Sequence, residues 1–211
     1  MEVLVPVSTR RPKSRLSDVL SPTERESFAR SMLDDVLDAV TDAGGDPHLL
    51  ATDEMDPPVD HPVTVDSRPL TDAVNAVLEE RSPTDSDPLA VVMADLALAT
   101  PESLGRLFDA DGDVVIAPGR GGGTNALVVR DSAFRVDYHG ASYLDHCEAA
   151  AAVDADVTVV DSHRLATDID ERADLVELLI HGDGAATAWL REAGITLDIA
   201  EGRVGAVRDD H

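Results

Sequence analysis

Lysine is almost missing from this chain: of 17 basic residues one is a lysine, Lys13, and 16 are arginines. Positive charge is scarce altogether, because 42 acids face those 17 cations and the formal net charge is -25. A field of that sign repels a nucleic-acid backbone and an anionic membrane surface, so neither is an expected partner. Cysteine is reduced to Cys147. That excludes an internal disulfide and a cysteine-based zinc site, and the alanine-rich helical pattern around it points to a packed, idle thiol. No signal peptide opens the chain, and no apolar run nears the roughly 18 residues of a membrane span. The expectation is a soluble, cytoplasmic protein. Internal repeats and linkers are absent as well, so residues 1–211 are expected to form one domain around one sizeable core.

What is present fits a folded α/β protein. Hydrophobic residues make up 43% of the chain, too many for a disordered acidic polymer. The acids are scattered over helices and loops rather than gathered in a tail. That pattern describes a solvated surface suited to high salt, which screens the self-repulsion. The central stretch is Leu89 to Met93, an unbroken apolar run that reads as a strand buried on both faces. Asp95 follows it, and Thr100-Pro101-Glu102 then starts a helix with Thr100 as cap. The carboxyl end of such a strand is where open α/β sheets place ligands. Asp95 is therefore a candidate functional residue, the alternative being a turn aspartate that satisfies local backbone donors.

Taken from its start, the chain opens on a short strand, Val3 to Val7. The next loop holds Arg10, Arg11, Lys13 and Arg15, four cations within six residues of a very acidic chain. Such a loop after a first strand suits a polyphosphate, although the glycines of a Walker loop are absent and a plain surface loop is the alternative. Ser21-Pro22-Thr23-Glu24 is a capping box for a helix that ends at Gly44-Gly45. Strands are expected at 48–52, 63–65, 113–117, 126–129 and 156–160. Helical spacing recurs around Leu70 to Leu78, after Ser142, after Asp170 and around Trp189. An edge strand is expected at 195–199. Pro118 to Asn125 contains three consecutive glycines with Arg120 and Thr124. Glycines let a backbone approach an anion with its N–H groups, the alternative being a flexible hairpin. Ser142 is expected to cap its helix with His146 one turn on. Asp170 is either a ligand or the cap of the helix that follows it.

Several of these segments form an ordered set. They are Val5-Pro6 with Pro12 to Leu16, Met93 to Leu96, Ala117-Pro118 with Arg120 to Leu127, Ser142-Tyr143 with His146, and Asp168 to Asp170. Together they resemble the 2-phospho-L-lactate guanylyltransferase family of deazaflavin coenzyme biosynthesis, in the form expected of a halophilic archaeon. The resemblance implies a Rossmann-like three-layer α/β sandwich with a mixed, mostly parallel sheet, similar to the nucleotide-diphospho-sugar transferases. It implies a reaction of GTP with 2-phospho-L-lactate to give lactyl-2-diphospho-guanosine and pyrophosphate, in a homodimer that uses Mg2+. Lys13, Arg15 and Asp95 would be catalytic. Pro6, Arg10, Lys13, Arg15 and Asn75 would bind the nucleotide. Arg120, Gly122, Gly123, Thr124, Gly140 and Ser142 would bind the acceptor. Asp95, Asp168 and Asp170 would hold the metal. The chain departs from the family pattern at Ser8, where a lysine is usual, at Gly119, where an acid is common, and at His139, where a glycine is usual. The alternatives are a transferase of the same fold with phosphoenolpyruvate or a sugar phosphate as acceptor, or a non-catalytic nucleotide-binding protein.

Overall fold

Each buried strand feeds two cores at once. In β4 (Leu89–Val92) all four residues are buried. Ala90 and Val92 face one apolar cluster, Leu89 and Val91 the other, as the two-residue period of a strand requires. The computed structural model describes residues 1–9, 12–200 and 202–208. Arg10, expected at the nucleotide, lies outside them.

β1 (Glu2–Val7), β2 (Asp46–Ala51), β3 (Val63–Val65), β4, β5 (Val114–Pro118), β6 (Thr124–Val129) and β7 (Val157–Val159) form one sheet. Its order is β3-β2-β1-β4-β6-β5-β7. β6 runs antiparallel to β4 and β5, and the remaining pairs are parallel. The mixed, mostly parallel sheet is the expected one. One face is covered by α1 (Pro22–Asp42), α3 (Pro101–Phe108) and the single turn α5 (His163–Ala166), through Val36, Leu104 and Leu165. The other carries α2 (Leu70–Arg81) and α4 (Ser142–Ala152), through Val74, Leu78 and Ala150. The far side of α1 has its own cluster, in which Phe28 and Met32 meet Leu175 and Leu178 of α6 (Arg172–His181) and Leu190 of α7 (Ala185–Glu192).

The α1 start is the capping box that the sequence predicts: the Ser21 hydroxyl accepts from the Glu24 N–H, and the Glu24 carboxylate accepts from the Ser21 N–H. At its other end Gly45 sits where a Cβ would lie 2.7 Å from Val3 Cγ2, so only glycine lets α1 turn this tightly into β2. Two expectations are corrected. Residues 195–199 do not edge the main sheet; β8 (Ile195–Ala200) pairs with β9 (Arg203–Arg208) in a separate hairpin whose Ile195 and Ala206 join the α6–α7 cluster. Ser142 does not cap α4, because Ala141 is the cap residue and the serine hydroxyl turns inward. No helix among the described residues is long and apolar enough to cross a membrane.

Candidate active site

The carboxyl ends of β1, β2 and β4 border a cavity of about 380 Å³. Pro6, Lys13, Thr52, Met93, Asp95 and Asp170 line it, with Asp66 and Arg68. Lys13 dominates its floor. Its backbone is left-handed, φ 52° and ψ 44°, a conformation that costs a non-glycine residue roughly 1–2 kcal/mol. From there the ammonium donates to Asp95 Oδ2 at 2.8 Å and to Asp170 Oδ1 at 2.7 Å. Two acids 75 positions apart in sequence (170 minus 95) thus converge on one buried cation. Burial works to lower the Lys13 pKa, but the charges of Asp95 and Asp170 outweigh it and the net shift is upward. Burial pushes the Asp95 carboxyl up against the pull of Lys13, and the nearby charges of Asp170 and Asp168 add to the rise. Arg15 is mostly exposed and leans toward Asp170 at 3.7 Å and Glu171 at 3.5 Å.

The acids meet because the turn after β4 is tied to the segment between α5 and α6. The Asp95 carbonyl accepts from the Ile169 N–H at 3.1 Å. Asp170 is not the α6 cap; that position belongs to Glu171, with Asp174 as its partner three residues on. Asp174 Oδ2 accepts from the N–H groups of Asp170 and Glu171, at 3.1 and 2.8 Å, which leaves the Asp170 side chain directed to Lys13. Asp168 is held from the other side: Asn125 Nδ2 donates to its Oδ1 at 3.2 Å and to the Leu165 carbonyl at 3.0 Å. Asn125 escapes a sequence reading, since its role depends on a partner 43 residues away. Its effect reaches Gly119, where a Cβ would stand 2.6 Å from Asn125 Oδ1. The departure from the family's acid at this position is therefore built into the packing.

The glycine segment is a hairpin turn between β5 and β6. Its N–H groups at Gly119, Arg120 and Gly122 donate to the carbonyls of Gly123, Ala166 and Gly119. The Arg120 guanidinium pairs with Asp174 at 2.6 Å. Thr124 and Ser142 are buried: the Ser142 hydroxyl accepts from the Thr124 N–H at 2.9 Å, and Thr124 Oγ1 lies 2.8 Å from His146 Nδ1. Burial lowers the His146 pKa to about 4, so the ring is neutral at pH 7. Gly122 and Gly140 both have positive φ, 82° and 50°. Asn75 is not among the cavity's lining residues. Its amide clasps the backbone of Val136, donating at 2.9 Å and accepting at 2.8 Å. At the cavity wall, Arg68 donates through Nε to both oxygens of Asp66 at 3.0 Å. No sequence signal marked this pair.

The family model described as "Guanylyl transferase CofC like" matches residues 1–208. A 2-phospho-L-lactate guanylyltransferase of Halorubrum lacusprofundi is 60% identical over 217 residues, spanning 99% of this chain and 100% of the relative. The protein of that name from Halomicrobium mukohataei is 56% identical over 208 residues, spanning 99% and 100%. Among solved structures, a Desulfovibrio desulfuricans protein provisionally described as a nucleotide-diphospho-sugar transferase superposes with a TM-score of 0.73 at 17% identity, over 90% of this chain and 94% of that one. A nucleotidyl transferase from Methanothermobacter does so with a TM-score of 0.58 at 15% identity, over 90% and 98%. These two likenesses concern the fold.

Proposed function

The chain belongs to the CofC-like guanylyl transferase family, and from that premise we propose that it joins GTP to 2-phospho-L-lactate, giving lactyl-2-diphospho-guanosine and releasing pyrophosphate. The observation that carries this reading is the Lys13 bridge to Asp95 and Asp170 on the floor of a nucleotide-sized cavity. A phosphate oxygen of the acceptor attacks the α-phosphorus of GTP. The new P–O bond forms as the bond to the β-phosphate oxygen breaks, and the electron pair leaves with pyrophosphate. The acceptor phosphate is largely dianionic at pH 7, because its second pKa is near 6, so no general base is required. The work left to the protein is to bring two polyanions together and to offset charge on the leaving group.

The residues fit a divalent cation. Asp95 and Asp170 already converge on one positive charge at 2.7–2.8 Å and offer the hard oxygen donors that Mg2+ selects; Asp168 adds a nearby negative charge. When bound, Mg2+ supplies charge neutralisation at the triphosphate. With the carboxylates holding the ion, Lys13 would be free to pair with the polyphosphate in the same cavity, as a compact point charge. Arg15, exposed and 3.7 Å from the lining residue Asp170 though not itself lining the cavity, adds a second cation. The acceptor lies against the β5–β6 turn, which adjoins Asp168 through Asn125. Gly122, Gly123 and Gly140 shape that surface. Thr124 and Ser142 support it from inside rather than by touching the ligand.

The test is pyrophosphate release in molar KCl, with GTP, ATP, CTP and UTP each paired with 2-phospho-L-lactate, phosphoenolpyruvate and 3-phosphoglycerate. Fastest turnover is expected with GTP and phospholactate, and Asp95→Asn should lower it by orders of magnitude without unfolding the protein. Faster turnover with phosphoenolpyruvate would reassign the acceptor. No release with any pair would favour a nucleotide-binding protein.

A further inference from the structure

We propose that His163, Glu177 and His181 form a binding site for one first-row transition-metal cation of the zinc class, separate from the candidate active site. His163 opens α5, while Glu177 and His181 lie four residues apart on one face of the last turns of α6. Among the described residues this is the one group of three or more His, Cys, Asp or Glu side chains that gathers its donor atoms for a metal, all within 4.8 Å of one another. His163 Nε2 is 3.3 Å from Glu177 Oε2, and His181 Nε2 is 3.6 Å from the same oxygen. A tetrahedral zinc ion with bonds of 2.0–2.1 Å holds its ligands about 3.4 Å apart. Two of the three ligand-to-ligand distances thus already match a coordination shell, the third lies within 4.8 Å, and three ligands leave a fourth position for water. The two rings meet edge to face, with centroids 5.3 Å apart.

Donor chemistry sets the class of ion. Two imidazoles and one carboxylate suit zinc, copper, nickel and cobalt, whereas magnesium and calcium prefer oxygen alone. The neighbouring cation, Arg164, turns away: its Nη1 donates to the carbonyls of Leu98 and His181, at 3.1 and 3.3 Å. The site is reachable, since the side chains of His163 and His181 are 54% and 47% exposed. It lies at the end of α6 opposite Asp170, about 15 Å away along a ten-residue helix. An ion here would staple α5 to α6 and close the loop that carries Asp168 and Asp170.

Untagged full-length protein, stripped with a chelator and held in molar KCl, is titrated with Zn2+ against a chromophoric chelator. Its Tm is followed in parallel. Wild type should bind one more zinc than the H163A/H181A double variant, with a zinc-dependent rise in Tm that the variant lacks. Asp170→Asn should retain that zinc and that rise, which separates the site from the catalytic acids. Glu177→Gln should weaken the binding at least tenfold. Cu2+ bound to wild type should show nitrogen superhyperfine splitting by electron paramagnetic resonance, absent in the double variant. Circular dichroism and unchanged guanylyl transfer serve as fold controls for the histidine variants. Equal zinc uptake and equal Tm shifts in wild type and the double variant would overturn the proposal, as would a copper signal without nitrogen coupling.

Discussion

Lys13 faces two demands that pull in opposite directions. Without ligand it neutralises Asp95 and Asp170, both within 2.8 Å of its ammonium. In the reaction proposed above, the same charge would be needed at the triphosphate, where negative charge grows as pyrophosphate departs. Lys13→Ala should therefore lower kcat/KM for GTP about 10- to 150-fold, the equivalent of one charged hydrogen bond worth roughly 1.5–3 kcal/mol. It should also bind Mg2+ more tightly than wild type, because the ammonium no longer competes for the carboxylates. Steady-state kinetics and a Mg2+ titration of Tm measure the two effects. A kcat/KM within twofold of wild type would remove Lys13 from the reaction, and weaker Mg2+ binding would refute the competition. Lys13 and Asp95 were legible in the sequence, one as the only lysine of a very acidic chain and the other by its place after the central strand. Asn125 was not, because nothing local marks an amide whose partners are Leu165 and Asp168.

At the scale of elements, legibility followed the range of the interactions. The caps of α1 and α3 are built by residues three apart, and both stand as the sequence predicts. The glycine turn depends on the direction of β6. A run of glycines does not say whether its N–H groups face a ligand or pair across a hairpin. The four residues of α5 are too few to show a helical period. The α1 start also ties down the terminal hairpin, since the Glu24 carboxylate that completes the capping box also accepts from Arg208 of β9. The Arg208 hydrogen bond, aided by the Ser21 N–H, lowers the Glu24 pKa from 4.5 to about 2. A depressed carboxyl contributes stability that is present above its unfolded pKa and is lost as pH falls through its folded one. Glu24→Gln keeps an acceptor for the Ser21 N–H but loses the charge that pairs with Arg208, so it should lower stability at pH 7 by up to about 1 kcal/mol, the range of an exposed ion pair. The gap to wild type should narrow from about pH 4.5 downward and close near pH 2. Urea denaturation of both proteins across that range, at fixed salt, provides the check. A gap that does not change with pH would mean that Glu24 acts through packing rather than charge.

Over the whole molecule, 42 acids meet only 17 lysines and arginines. However the cations are paired, 25 negative charges (42 minus 17) remain uncompensated. Salt therefore has two opposing effects. It weakens ion pairs such as Arg120–Asp174 and Arg208–Glu24, and it screens the repulsion among the surplus carboxylates. Exposed pairs are individually worth about 0–1 kcal/mol, while the repulsion is shared by all the surplus acids and is relieved on unfolding, when the chain expands. The second effect should win. The Debye length falls from about 10 Å at 0.1 M salt to about 3 Å at 1 M, so at molar salt a carboxylate no longer senses acids beyond its immediate neighbours. Tm should rise by about 10 °C or more between 0.1 and 2 M KCl, where each kcal/mol corresponds to about 2–4 °C in a chain of this size. KCl and NaCl should act alike at equal ionic strength, because screening does not distinguish the two cations. A Tm that stays flat or falls would show that ion pairs outweigh the excess charge. A rise confined to KCl would mean that potassium binds at defined carboxylates.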